Sequence, residues 1–155
     1  MNRSGFGRDV AEALAAHRVG EREQITGHRL DLPGRGQALT PAFHVDEWDE
    51  KHATGTFRLG RYYLGGNGAA HGGVIPLMFD EVLGRLANTG RSRARTAYLH
   101  VNFRSITSIG PELRLTARFS REEDRKRYLT ATIHHGDVLT ADAEGLFMAL
   151  RPGPP

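Results

Sequence analysis

Cysteine is absent from this 155-residue chain. Its absence excludes a disulfide scaffold, a thiolate metal site and a thiol nucleophile, and it agrees with a cytoplasmic location, the one expected here. Lysine is nearly absent too: Lys51 and Lys126 stand alone, so the net charge of +3 and the pI near 9.7 rest on arginine. A basic balance of this size suits nucleic acid, a membrane surface or a polyphosphate ligand, and does not choose among them. Aromatic residues make up only 8% of the chain and do not fall into the array on which RNA-binding sheets stack bases, so no nucleic-acid partner is expected. No apolar run reaches the roughly 20 residues needed to cross a bilayer. The first residues, with Arg3, Arg8, Asp9 and Glu12 among them, form no signal-peptide core. No membrane partner is expected either.

Several familiar chemistries are missing as well. There is no Gly-x-Ser-x-Gly elbow for a serine hydrolase. Gly66-Asn67-Gly68-Ala69-Ala70-His71 begins like a dinucleotide fingerprint, but His71 stands where the third glycine belongs and no βαβ unit follows. His134 and His135 are adjacent in a strand pattern, so they point to opposite faces and do not share a metal; no metal site is expected.

What is present suits a single soluble domain: 39% apolar and 25% charged residues, in a chain long enough for one continuous core. Gly7 to Val19 reads as an amphipathic helix, with Val10, Leu14 and Val19 on one side. From Gly20 to Pro41 the pattern is loop, broken by Gly27, Pro33, Gly34 and Gly36. Phe43, Val45 and Trp48 suggest a first strand, and Thr54, Thr56 and Phe57 a second, with a turn near Asp49-Glu50. The aromatic, then glycine-rich stretch from Tyr62 to Gly68 reads as a loop. His71 to Asn88 has helical period: Ile75, Phe79, Val82 and Leu86 form a stripe, and Leu77 and Leu83 extend its apolar character round most of the remaining surface, the mark of a buried helix. Pro76 sits in its first turn, where a missing N–H costs little. Asn88-Thr89-Gly90 supplies the stop. Thereafter the period is two, in Leu99–Phe103, Leu113–Phe119, Leu129–Ile133 and Val138–Leu150, with hairpin turns at Glu123-Asp124-Arg125 and His135-Gly136-Asp137. The expected organisation is an extension over 1–41, one α+β domain over 42–151 and a tail at 152–155.

The chemistry concentrates between His71 and Asp80. The first N–H groups of a helix lack intrahelical partners and carry the positive end of its dipole, so they can hold an oxyanion. Gly72 and Gly73 allow a ligand close to that backbone. An acid in an otherwise apolar helix is costly unless it has a partner or a task. Donors for an oxyanion together with a carboxylate base or nucleophile make a minimal kit for acyl hydrolysis. Glu81 is the neighbouring rival to Asp80.

This stretch resembles the signature of hotdog-fold acyl-CoA thioesterases, in particular the phenylacetate-degradation (PaaI-like) branch: His-Gly-Gly, six mostly apolar residues, then Asp or Glu. The likeness runs from about Phe43 to Leu150 and does not include the first forty residues. The order β, β, long helix, four strands is also the hotdog order, an antiparallel sheet wrapped around a central helix, here with an N-terminal helical extension. The resemblance implies an acyl-CoA substrate, with CoA as part of that substrate and no further cofactor. It implies a homo-oligomer, a homodimer or a dimer of dimers (homotetramer), whose subunits join edge to edge and form sites at the interface. It implies that the Gly72 N–H polarises the thioester carbonyl, that Asp80 acts as base or nucleophile, and that Thr96 helps place the attacking water. His71 would orient the substrate or the loop. Relatives place Asn or Gln six residues before the motif histidine; Gly65 stands there in this chain, with Asn67 two positions on as a substitute. Arg91, Arg93, Arg95 and Arg104 form a candidate CoA-phosphate site, since guanidinium groups bind phosphates well, and the bland reading of such a run is a solvated basic loop. The alternatives are a hotdog enoyl-CoA hydratase or isomerase, and a non-catalytic acyl-CoA-binding hotdog protein.

Overall fold

The structure is a computed structural model that describes residues 40–153. The expected helix over 7–19 and most of the loop after it lie outside the described residues.

The two short alternating runs near the start form β1 (His44–Trp48) and β2 (His52–Arg58). Asp49 closes the turn between them: its Oδ1 accepts the N–H groups of Lys51 and His52 at 2.7 Å each. Those two bonds hold its carboxyl below the usual carboxylate range. The later alternation becomes β3 (Ala94–Phe103), β4 (Glu112–Glu123), β5 (Lys126–His135) and β6 (Val138–Ala149). Both expected hairpin turns form, opened by Asp124 at φ +52° and Gly136 at φ +57°. Positive φ at that position matches the right-handed twist of the flanking strands. All six strands lie in one antiparallel sheet in the order β1-β2-β4-β5-β6-β3, which leaves β3 on one edge.

One row across this sheet explains how the helix packs. Ala53 pairs with Ala117, Ala117 with Ala131, and Ala131 with Ala143, so four neighbouring strands carry a methyl group at the same level. All four alanines are buried. Larger buried residues flank them along the strands, Leu115 and Ile133 on one side and Leu129 on the other. Small side chains at the centre with large ones around them form a trough, and close packing fills a trough with a cylinder.

That cylinder is α1 (Val74–Asn88), with Ile75, Met78, Phe79, Val82, Leu83 and Leu86 fully buried. The expected stripe is therefore the core face. Two details differ from the sequence reading. The helix begins at Val74, because His71-Gly72-Gly73 forms a turn ahead of it. Nor is it buried all round: Leu77 is 36% exposed, and Asp80, Glu81, Gly84, Arg85 and Asn88 are only half-buried. The sheet of one chain covers part of the cylinder and leaves a polar strip open. The stop is as expected, with the Thr89 N–H bonded to the Leu86 carbonyl at 3.2 Å and Gly90 at φ +67°. Among the described residues no helix is long and apolar enough to cross a membrane.

Beyond the helix end lies a residue that sequence reasoning passed over. Arg127 is only 4% exposed. Its Nη1 donates to the carbonyls of Ala87 at 2.9 Å and Ser92 at 2.7 Å, its Nη2 to Ser92 Oγ, and its Nε to Glu122 at 3.0 Å. A cation at a helix C-terminus meets the negative end of the dipole, and here it also ties the helix to the start of β3. Arg127→Leu is expected to cost about 2 kcal/mol, since it strands the buried Ala87 carbonyl and removes the ties to Ser92 and Glu122. Chemical denaturation should report that loss, and a change below about 1 kcal/mol would refute the role.

Candidate active site

The loop before α1 is held from both sides. The His71 N–H bonds to the Tyr63 carbonyl at 2.7 Å, and the Ala70 N–H to the Thr107 carbonyl at 2.8 Å. Tyr63 belongs to a 3₁₀ turn at Arg61–Tyr63, and a second such turn spans Gly66–Gly68. The His71 side chain folds back over its own loop, its Nδ1 accepting the Gly73 N–H at 3.0 Å. This contact takes up the Gly73 donor and orients the turn.

The Gly72 N–H is different. It meets no acceptor among the described residues. A Cβ built at Gly72 would find nothing within 4 Å, so the space beside it is open. An unpaired donor at the entry to a helix, with open space beside it, can receive an oxyanion. A cavity of about 330 Å³ lies there, lined by Ala70, Gly72, Ile75, Phe103, Arg104 and Ile106.

Asp80 stands two turns further along α1. Its Oδ1 accepts the Thr96 hydroxyl at 2.7 Å, so two residues sixteen apart in sequence meet as an acid and a hydroxyl. Glu81 is otherwise engaged, in an ion pair with Arg85 at 3.3 Å, one turn on. Asp80 and Thr96 line a second cavity, of about 440 Å³, together with Gly84, Asn88, Arg95 and Phe147. The two cavities have no lining residue in common.

The candidate arginines do not form one group. Arg91 donates to the carbonyls of Glu50 and Thr89 and lies over the Phe119 ring, 3.9 Å from its centroid. It is a packing residue at the helix end. Arg104 stands at the far end of β3, roughly 30 Å from Arg95 at about 3.3 Å per residue. There it pairs with Asp142 at 2.5 Å, and this bond, with one from Asn102, holds the Asp142 carboxyl below its ordinary range. Sequence proximity overstated the cluster because an extended strand separates its members. Arg93 and Arg95 are exposed, and Arg95 alone of the four lines the Asp80 cavity.

Asn67 lies in left-handed conformation, φ 54° and ψ 35°, on an exposed turn. Its side chain bonds to nothing among the described residues and lines neither cavity. The glycine at 65 has a physical reason: a Cβ there would come within 3.0 Å of the His71 Cα and 3.1 Å of the Ala70 oxygen. A side chain there would require the neighbouring backbone to give by a few tenths of an ångström.

A long helix cradled in a single antiparallel sheet of this strand order is the hotdog fold. The thioesterase superfamily profile matches residues 67–141, a stretch that includes His71, Asp80 and Thr96. The solved thioesterase superfamily protein RHA08564 is 27% identical, covers 94% of this chain and 76% of its own, and superposes with a TM-score of 0.70. The PaaI protein of E. coli, from the phenylacetic acid degradation operon, superposes with a TM-score of 0.66 at 18% identity, over 70% of this chain and 80% of that one. Human acyl-coenzyme A thioesterase THEM5 is 27% identical over 104 residues, 66% of this chain; this chain spans 42% of that protein's length. Residues 67–141 thus resemble the thioesterase superfamily, and the fold is the one that PaaI has.

Proposed function

We propose that the protein hydrolyses acyl-CoA thioesters to a free acid and CoA, at sites shared between two copies of the chain. The observation that carries this reading is the separation of the two half-sites. Hydrolysis needs an oxyanion donor and an attacking oxygen, each about 3 Å from one and the same carbonyl group. Val74, where the helix begins, and Asp80 are six residues apart, about 9 Å along its axis at 1.5 Å per residue, and Gly72 lies in the turn before Val74. Gly72 and Asp80 line different cavities. This spacing supports a site built from the Gly72 of one chain and the Asp80 of another.

A second copy resolves the mismatch. β3 is a ten-residue edge strand that exposes half of Tyr98, and Phe103 to 58%. Among the described residues nothing pairs with its outer side, and an edge of this length invites another strand. Two-fold antiparallel pairing about its middle sets the Phe103 end of one chain, beside Gly72, against the Thr96 end of the other, beside Asp80. In the resulting site Asp80 takes a proton from water, whose oxygen attacks the carbonyl carbon; alternatively the carboxylate attacks directly, and after CoA leaves water cleaves the mixed anhydride to the free acid. The carbonyl carbon becomes tetrahedral, with its oxyanion on the partner's N–H at position 72. The C–S bond then breaks and the CoA thiolate leaves, regaining a proton. Thr96 orients the carboxylate through its hydroxyl.

Incubation with a panel of acyl-CoAs and assay of free thiol tests the reaction. Thiol release supports hydrolysis. Hydration without release would favour an enoyl-CoA hydratase, and binding without turnover a non-catalytic acyl-CoA carrier; either overturns the reading. For the nucleotide end of the substrate, Arg95→Ala is expected to raise KM for acyl-CoA several-fold with kcat little changed, since contacts remote from the carbonyl hold ground and transition states alike. A truncated pantetheine thioester should show no such rise, and an equal effect on both substrates would assign Arg95 to structure.

A further inference from the structure

Resting on the thioesterase reading, we propose that Gly84 sets the acyl specificity: the space it leaves in the Asp80 cavity receives an acyl group that extends at least one helical turn, about 6 Å, beyond the thioester carbonyl. Glycine in a helix interior costs about 1 kcal/mol relative to alanine. Gly84 stands in the body of α1, and two local reasons for keeping a glycine fail there. Its φ is not positive, so the backbone does not require it. Packing does not require it either, because an added Cβ would meet only Phe147 Cε1, at 3.4 Å, an ordinary contact. What a methyl group would take away is cavity.

The position fits that use. Gly84 follows Asp80 by four residues, one turn on the same side of the helix. Both residues line the cavity, as does Asn88 one turn further on. Phe147 lies beneath the cavity, while Asn88 and the Glu81–Arg85 pair supply polar walls. An acetyl group ends about 1.5 Å past its carbonyl carbon and does not reach Gly84. A six-carbon chain or an aromatic ring does.

The test uses the full chain with acetyl-, hexanoyl- and benzoyl-CoA, on wild type, Gly84→Ala and Gly84→Val. Thermal unfolding is measured alongside. Gly84→Ala is expected to unfold at the same temperature or higher, as helix glycine-to-alanine changes do. Its kcat/KM for hexanoyl- and benzoyl-CoA should fall at least about tenfold, further in Gly84→Val, while acetyl-CoA stays within about twofold. Stability preserved and activity lost only for the larger acyl groups is a combination that a structural defect does not produce. Equal losses on all three substrates, or no loss on any, would overturn the proposal and leave hydrolysis standing. So would a wild type that hydrolyses acetyl-CoA alone. A wild type that hydrolyses none of the three overturns the thioesterase reading, and this inference with it.

Discussion

Asp80→Asn is expected to lower thioester turnover by roughly 10²-fold or more while the protein folds normally, the loss typical of a removed, positioned base. The amide keeps an oxygen to accept the Thr96 hydroxyl, so the 2.7 Å contact between helix and β3 survives. What disappears is the capacity to take a proton or to attack. Glu81→Gln should cost far less, because Glu81 is held in its ion pair with Arg85 on the same helix, and a partly exposed pair of that kind contributes only a few tenths of a kcal/mol. The comparison uses kcat with saturating acyl-CoA, with circular dichroism confirming the fold of both variants. Equal losses in the two, or a larger loss in Glu81→Gln, would move the acid role off Asp80.

The second large effect is a recovery. Asp80→Asn and Gly72→Pro should each be inactive alone, the first without its carboxylate and the second without its N–H donor. Proline follows a turn here, so that variant must first be shown to fold and to associate. Refolded together in equal amounts, about half of the dimers should be mixed. Each mixed dimer would pair an intact Gly72 with an intact Asp80 at one site and the two defects at the other. Activity should return to roughly a quarter of wild type. If donor and acid came from one chain, no combination would hold an intact site. A dead mixture with heterodimers demonstrated by mass spectrometry would therefore refute the shared site.

Much of this molecule is legible in its residues taken one after another, because the relevant physics is local. The period-two runs from Leu99 onward specify strands whose alternate residues share a face, and Ile75, Phe79, Val82 and Leu86 specify the buried side of a helix, since 3.6 residues per turn brings them together. Asp124 and Gly136 mark their hairpins by the backbone conformations they tolerate. The His-Gly-Gly turn ahead of the helix locates a donor for an anion, and the spacing to Asp80 locates an acid. Each of these depends on neighbours within a few residues.

The tertiary structure decided what depends on distance across the fold. Only the sheet register assembles the alanine row of Ala53, Ala117, Ala131 and Ala143, from four strands spread over ninety positions. Only the return of β3 along α1 brings Thr96 to Asp80, and only the extension of that strand carries Arg104 away from Arg95 to a different partner. Arg127 has no motif, and its role exists because β5 passes beneath the end of a helix forty residues earlier. The polar strip on α1 was hidden for a related reason: an apolar residue such as Leu77 states a preference for burial, but whether anything covers it depends on how far the sheet reaches. Sequence thus determined the parts and the kind of chemistry they allow, through interactions that act over one turn or one pleat. Which parts meet across the fold was left to long-range packing.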